Sequence, residues 1–406
     1  MMPRRGAVLA GVAALAVFAA VLVGVAQEEA FGPKALSSAL AAKPEGAQAE
    51  RLAEQVRTLF GGRESLVRGA PARVDELTVA FALEVPSLPA NSPTPRAVGD
   101  HGMFNLPLTK IGTSGVYAGV AHLTHGAAFT WHYEAGGARL GGGQLEVYET
   151  HPDARERAGV PKGTLTQMPP WHSRIFAGTT RDWWVYVPAQ YESSSPAAVM
   201  VFQDGNAARQ YVVPVLDNLI AKGDIPVMAG VFIEPGGVKA ARDNRSFEYD
   251  TLSDQYARFL LEEMLPEVEK TVRLRRDAAG RGIAGQSSGA IAAFTVAWER
   301  PNEFSKVLSG IGSFTNIQAG KTLREGGHNY AALVRRVPRK PIRIFMQDGA
   351  NDLDNASGSW WLANQTLARS FAYAGYDYRF EQGQGFHNNN HIRAILPDAM
   401  RWLWRK

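Results

Sequence analysis

Hydrophobic and polar positions change their period along this chain, and each change predicts a different architecture. After a small, polar, Ala-rich stretch at 27–45 that reads as a linker, Ala47–Phe60 places Leu52, Val56, Leu59 and Phe60 on one helical face. From Val74 to about Thr150 the apolar runs become short. Leu77–Leu83 stops near Pro86, Val116–Val120 and Phe129–Tyr133 follow, a Gly136-Gly137 turn intervenes, and Leu145–Tyr148 closes the series. Short strands broken by Gly and Pro predict a small all-β sandwich over 71–155. Prolines from Pro161 to Pro170 mark a connector at 156–171. Beyond it, strands and helices alternate. Strands are expected at Trp183–Val187, Ala198–Phe202, Val227–Ile233, Gly282–Ala284, from Val307, at Ile342–Met346 and at Tyr378–Phe380, with helices near 207–222, 256–272, 288–298, 360–373 and 392–404. That alternation predicts an α/β domain over 172–406, its mostly parallel sheet covered by helices on both faces.

The N-terminus carries another pattern. Arg4 and Arg5 precede an unbroken apolar run from Gly6 to Val25, and Gly24-Val25-Ala26 is followed by Glu28 and Glu29. A basic start, an apolar stretch and small residues at its end predict a signal peptide over 1–26, with an uncleaved membrane anchor as the alternative. Either reading places the remainder outside the cytoplasm. Loss of Arg4 and Arg5 would lower the formal charge from +4 to +2. So weak a balance offers no electrostatic basis for nucleic-acid binding. The chain has no cysteine, which excludes disulfides, thiolate metal sites and a cysteine nucleophile. His122, His125 and His132 lack an accompanying carboxylate pattern and read as ordinary strand and turn residues. No metal or cofactor is expected.

The chemistry concentrates in the C-terminal half. Gly285-Gln286-Ser287-Ser288-Gly289 follows a short strand and opens a helix, the setting of a nucleophile elbow. The glycines permit a tight strand-to-helix turn, and the amide of Ser288 is left to stabilise an oxyanion. A serine alcohol needs a base, expected with its acid on loops after later strands, in the order serine, acid, histidine. Asp348, Asp352 and Asp354 follow the strand ending at Met346. Asp352 is preferred because it lies past the strand end, where it can reach back. His387 follows Gly383-Gln384-Gly385-Phe386 and is preferred over His391, because the Gly-rich loop can carry it over the sheet edge. The second oxyanion amide is expected at Gly205 or Asn206, after the strand ending at Phe202.

Trp183–Pro188, Val201-Phe202-Gln203-Asp204-Gly205, the elbow, Asp348-Gly349-Ala350-Asn351-Asp352 and Gly385-Phe386-His387-Asn388 together resemble the Putative esterase family of α/β-hydrolases. Enterochelin, feruloyl and acetylxylan esterases, esterase D and mycolyltransferases belong to it. The resemblance covers about 172–406 and implies Ser287, Asp352 and His387 as a catalytic triad working through an acyl-enzyme. Arg245-Ser246-Phe247-Glu248-Tyr249-Asp250 resembles a segment lining the approach to the family's site, implying substrate contacts from Arg245 and Glu248. The strands at 74–150 resemble the immunoglobulin-like early-set module of enterochelin esterase-like proteins. Phe386 departs from several relatives, which have Gly before the histidine, and a bulky side chain there is expected to reshape the acyl pocket.

These readings converge on an exported serine esterase for small acylated molecules. Acylated sugars are favoured over siderophore lactones. An iron-bound trilactone is a large polyanion that calls for a strongly basic mouth, which Arg245, Arg242 and Lys239 would supply only in part. The alternatives are acyl transfer by the same triad, or a non-catalytic carbohydrate-binding protein using aromatic residues such as Trp131 and Tyr133.

Overall fold

The central strands of the C-terminal half are buried at both their odd and their even positions, so each must be covered on two faces. In the computed structural model, which describes residues 30–89, 91–102, 104–237, 244–317 and 325–406, these strands form one eight-stranded sheet. Its order is Asp377–Gly383, Arg343–Gly349, Lys306–Gly310, Arg281–Gln286, Ala198–Gln203, Met228–Ile233, Trp183–Val187 and Thr164–Gln167. The first six run parallel, Trp183–Val187 pairs antiparallel with the sixth, and Thr164–Gln167 pairs antiparallel with Trp183–Val187. Thr164–Gln167 corrects the expected connector. It pairs with Trp183–Val187 as the edge strand, so the sheet begins before residue 172.

Alternation sorts the side chains. Val199, Val201, Val231, Ile283, Val307 and Ile344 face one cluster with Tyr256, Phe259, Ile291 and Phe294. Met200, Phe202, Phe232, Leu308 and Phe345 face the other, against Val212 and Leu216 of the helix Gly205–Lys222 and Leu396 and Leu403 of the helix Asn390–Trp404. This two-sided cover is what a buried, mostly parallel sheet requires, and it fits an α/β-hydrolase fold. The expected helix at 256–272 ends earlier and is irregular. Gln255–Phe259 passes into a π-helical stretch, Leu260–Met264, before Leu265–Val268. Pro266 lacks the amide that regular helix bonding needs there.

The N-terminal strands form two four-stranded antiparallel sheets. Val79, Phe81 and Leu83 of one share an apolar cluster with Phe129, Trp131 and Tyr133 of the other. Trp131 and Tyr133 are buried there, only 3% and 0% exposed, which removes them as a sugar-stacking surface. Tyr133 also ties three segments together. Its hydroxyl accepts from the Ala82 amide and donates to the Ala70 carbonyl, both at 3.0 Å. The expected linker at 27–45 is partly helical, because Pro33 starts the helix Pro33–Ala41, whose Leu36 is buried. Gly46–Leu59 matches the expected short helix, and Arg63–Arg68 adds a third. Residues Gly32–Lys406 form one unit. The apolar run 6–25 lies outside the described residues. Among those described, no helix is long and apolar enough to cross a membrane.

Tyr133→Phe strands the Ala82 amide without its buried acceptor. It should cost about 1–3 kcal/mol of unfolding free energy in a urea titration.

Candidate active site

The strand Arg281–Gln286 and the helix Ser288–Glu299 are joined by the single residue Ser287, at φ 56° and ψ −124°. A non-glycine residue rarely adopts that conformation, and here the surroundings hold it. The Ser287 amide donates to the Gly310 carbonyl at 3.0 Å, and its carbonyl accepts from the Ser313 amide at 3.2 Å. Gly285 makes the turn sterically possible, since a Cβ there would lie 2.1 Å from the Gly289 carbonyl oxygen. The turn sits at the C-terminal end of the parallel strands, where open α/β sheets place their ligands.

Two later strand ends supply partners for the serine. His387, on the loop after Asp377–Gly383, brings Nε2 to 2.9 Å from Ser287 Oγ. Asp352, past the end of Arg343–Gly349, brings Oδ1 to 2.5 Å from His387 Nδ1. The Asp352 side chain is fully buried, and the same Oδ1 accepts from the Leu353 amide at 2.5 Å. Trp360 packs its ring edgewise on the imidazole, with centroids 5.7 Å apart. His391, the rival base, lies elsewhere. It is buried, its Nδ1 meets Gln347 Nε2 at 3.0 Å, and burial pushes it down to about 4. Asp354 is exposed on a short strand.

Asp348 has a different surrounding. It is 0% exposed, with Oδ1 accepting from the Gly349 amide at 2.8 Å and Oδ2 accepting from Asn364 Nδ2 at 2.9 Å. Burial, and after it the neighbouring carboxyl of Asp352, pushes Asp348 up to about 9. The neutral form of Asp348 is thereby favoured. Ser313 was not foreseen. Its Oγ lies 3.2 Å from Ser287 Oγ and accepts from Trp360 Nε1 at 3.0 Å. The available signal was its place just beyond the strand Lys306–Gly310, on the same sheet edge as the elbow.

The family model described as Putative esterase matches residues 176–403, more than half of the chain. The chain belongs to the Putative esterase family. A curated relative, the iron(III) enterobactin esterase of Dickeya dadantii (strain 3937), is 24% identical over 281 residues, covering 62% of this chain. The chain spans only 59% of that relative's length. Among solved structures, the enterobactin esterase of Shigella flexneri, determined in the presence of enterobactin, superposes with a TM-score of 0.60 at 18% identity. That match covers 81% of this chain and 93% of the other. The ferric enterobactin esterase of Salmonella typhimurium gives 0.57 at 18% identity, with the same coverage of 81% and 93%. These similarities show a shared fold.

In this member of the Putative esterase family, some expected contacts are absent. A cavity of about 320 Å³ beside Ser287 and His387 is lined by Asp204, Ala207, Tyr211, Arg245 and Ile311. Arg245 borders it but is already paired, its Nε and Nη2 donating to the two Asp204 carboxylate oxygens at 2.8 Å each. Glu248 does not reach it. Its side chain is fully buried on Arg181 at 2.7 Å and accepts from Asn244 Nδ2 at 2.7 Å, which makes it a structural partner. Of the expected oxyanion donors, Ser288 and Gly205 open their helices, whose first amides have no intrahelical acceptor. The Asn206 amide instead donates to Glu234 Oε1 at 2.6 Å and is thereby turned to another acceptor. Phe386 is 6% exposed and does not line the cavity, so it does not reshape that pocket as expected. Lys239 and Arg242 lie outside the described residues. Among those described, no group of three or more His, Asp or Glu is gathered as for a metal ion.

Removing one member of a buried ion pair leaves the other charge uncompensated. Glu248→Ala should therefore destabilise the fold by about 3–5 kcal/mol in urea, rather than raise KM alone. For Asp348, a raised folded pKa means stability fully present below the ordinary carboxyl range and lost as pH rises through about 9. Asp348→Asn cannot ionise. Its melting temperature should fall less steeply than that of the wild type between about pH 5 and 9, as thermal melts across that range would show.

Proposed function

We propose that the protein hydrolyses carboxylic esters through Ser287, His387 and Asp352. The observation that carries this reading is the double engagement of one imidazole, with Ser287 Oγ 2.9 Å from Nε2 and Asp352 Oδ1 2.5 Å from Nδ1. Held in this way, His387 presents its unprotonated Nε2 to the serine hydroxyl, while Asp352 fixes the tautomer and balances the imidazolium that forms. Ser287 Oγ attacks the ester carbonyl as its proton passes to Nε2. The tetrahedral oxyanion is stabilised by the amides of Ser288 and Gly205, each at the positive end of a helix. Collapse expels the alcohol, which takes the proton from Nε2 and leaves an acyl-serine. Water then attacks with Nε2 again as base, and release of the acid restores the serine.

Charge at the mouth supports neutral acylated molecules, acylated sugars before siderophore-type esters. Arg245 is neutralised by Asp204, and the adjoining cleft of about 590 Å³ carries Glu76, Glu146 and Glu149 beside Arg393. A ferric catecholate polyanion would meet little net positive potential there. The two small antiparallel sheets with their shared core support the immunoglobulin-like reading of the N-terminal module. The pattern at residues 1–26 supports export, with the mature chain acting outside the cytoplasm or tethered to a membrane by that segment.

Hydrolysis of p-nitrophenyl acetate should fall to background in Ser287→Ala, a loss of about 10⁴-fold or more in kcat. It should fall by roughly 10⁴-fold in Asp352→Asn, which upsets the histidine tautomer. Equal rates for Ser287→Ala and wild type would refute the reading. Initial rates on acetylated oligosaccharides against a catecholate trilactone should favour the oligosaccharides.

A further inference from the structure

The loop that carries His387 begins with two glycines in Gly383-Gln384-Gly385, a composition that leaves it many conformations of its own. Its restraints come from elsewhere. Glu146, the last residue of the strand Ala138–Glu146 in the N-terminal module, turns its carboxylate onto this loop. Glu146 Oε1 accepts from Asn388 Nδ2 and, at 3.0 Å, from Asn390 Nδ2. Glu146 Oε2 accepts from the Tyr148 hydroxyl at 3.2 Å. The Tyr148 ring lies flat on His391, with centroids 5.3 Å apart and planes 10° from parallel. The module thus holds the residue after His387 and the first turn of the helix that follows.

The acid loop is tied to the same module. Asn351, the neighbour of Asp352, donates through Nδ2 to the Ala128 carbonyl at 3.3 Å and to the Gln384 carbonyl at 2.6 Å. Ala128 begins a module strand, and Gln384 lies in the histidine loop. One amide therefore links module, acid loop and base loop.

We propose that the N-terminal module positions the acid–base pair, with Glu146 as the positioning residue that fixes the histidine loop and Asn351 joining the acid loop to it. The proposal rests on the ester-hydrolase reading above. Glu146 touches no reacting atom. It acts by holding His387 Nε2 within reach of Ser287 Oγ, and a displacement of about 1 Å at such a contact costs on the order of 10²-fold in rate.

The test is steady-state hydrolysis of p-nitrophenyl acetate by the full chain, with thermal melts alongside. Glu146→Ala should lower kcat by about 10- to 100-fold with KM changed by less than about threefold. Glu146→Gln keeps a carbonyl acceptor for the two asparagines and should recover most of the loss, which a defect of packing alone would not predict. Asn390→Ala, made on the helix side of the same contact, should lower kcat in the same direction and serves if Glu146→Ala does not fold. The second-order rate of Ser287 labelling by a small fluorophosphonate should fall in parallel, because it reports nucleophile activation with no substrate subsite. Wild-type kcat and labelling rate in a folded Glu146→Ala or Asn390→Ala would overturn the proposal, as would a loss confined to KM. An inactive wild type would contradict the hydrolase reading itself, whereas an active wild type with unimpaired variants contradicts only the positioning role.

Discussion

One imidazole can bond a serine hydroxyl and a carboxylate together only if three separate pieces of chain end within a few ångströms of one another. His387 meets that demand with 2.9 Å on one side and 2.5 Å on the other. The eight-stranded sheet makes the meeting possible, because its parallel strands deliver the elbow, the acid loop and the base loop to the same edge. The positive φ at Ser287, the glycine at 285 and the burial of Asp352 all serve this convergence. The two apolar layers keep the strands in register, so the geometry at the edge depends on packing far below it.

Residues whose placement is set by chain position were legible beforehand. The elbow follows from a strand, a helix and two glycines, and the choices of Asp352 and His387 follow from the ends of particular strands. Each of those inferences uses only local pattern and chain order. What stayed hidden depended on side chains that meet across long separations. Glu248 has the look of a cleft residue, yet its partner Arg181 lies 67 positions away, and nothing local betrays the pair. The Asn206 amide is claimed by Glu234 from a different loop. Thr164–Gln167 reads as a connector because prolines flank it, and only pairing with Trp183–Val187 makes it a strand. The small, Ala-rich residues at 27–45 read as a linker and masked the helix Pro33–Ala41, whose Leu36 is buried.

The site also holds a second carboxyl group below its surface, Asp348, which is fully buried. Asp348 and Asp352 both have buried carboxyl groups, and burial favours the neutral form of Asp348. At the mouth, Arg245 is spent on Asp204, and the cleft toward the N-terminal module is bordered by carboxylates. Fold kinship with enterobactin esterases therefore coexists with an arginine at the mouth that is already paired. The module itself, reaching the acid loop through Ala128 and the base loop through Glu146, belongs to the same mechanical unit as the sheet edge.

The most direct measurement of the central claim is the site of acyl transfer. Wild-type protein would be mixed with p-nitrophenyl acetate, quenched in acid during the first turnover, digested, and its peptides weighed by mass spectrometry. An acetyl group is expected on Ser287, and none there in His387→Ala quenched at the same time. Release of p-nitrophenol with no acetyl on Ser287, or with the acetyl on Ser288 or Ser313, would contradict it.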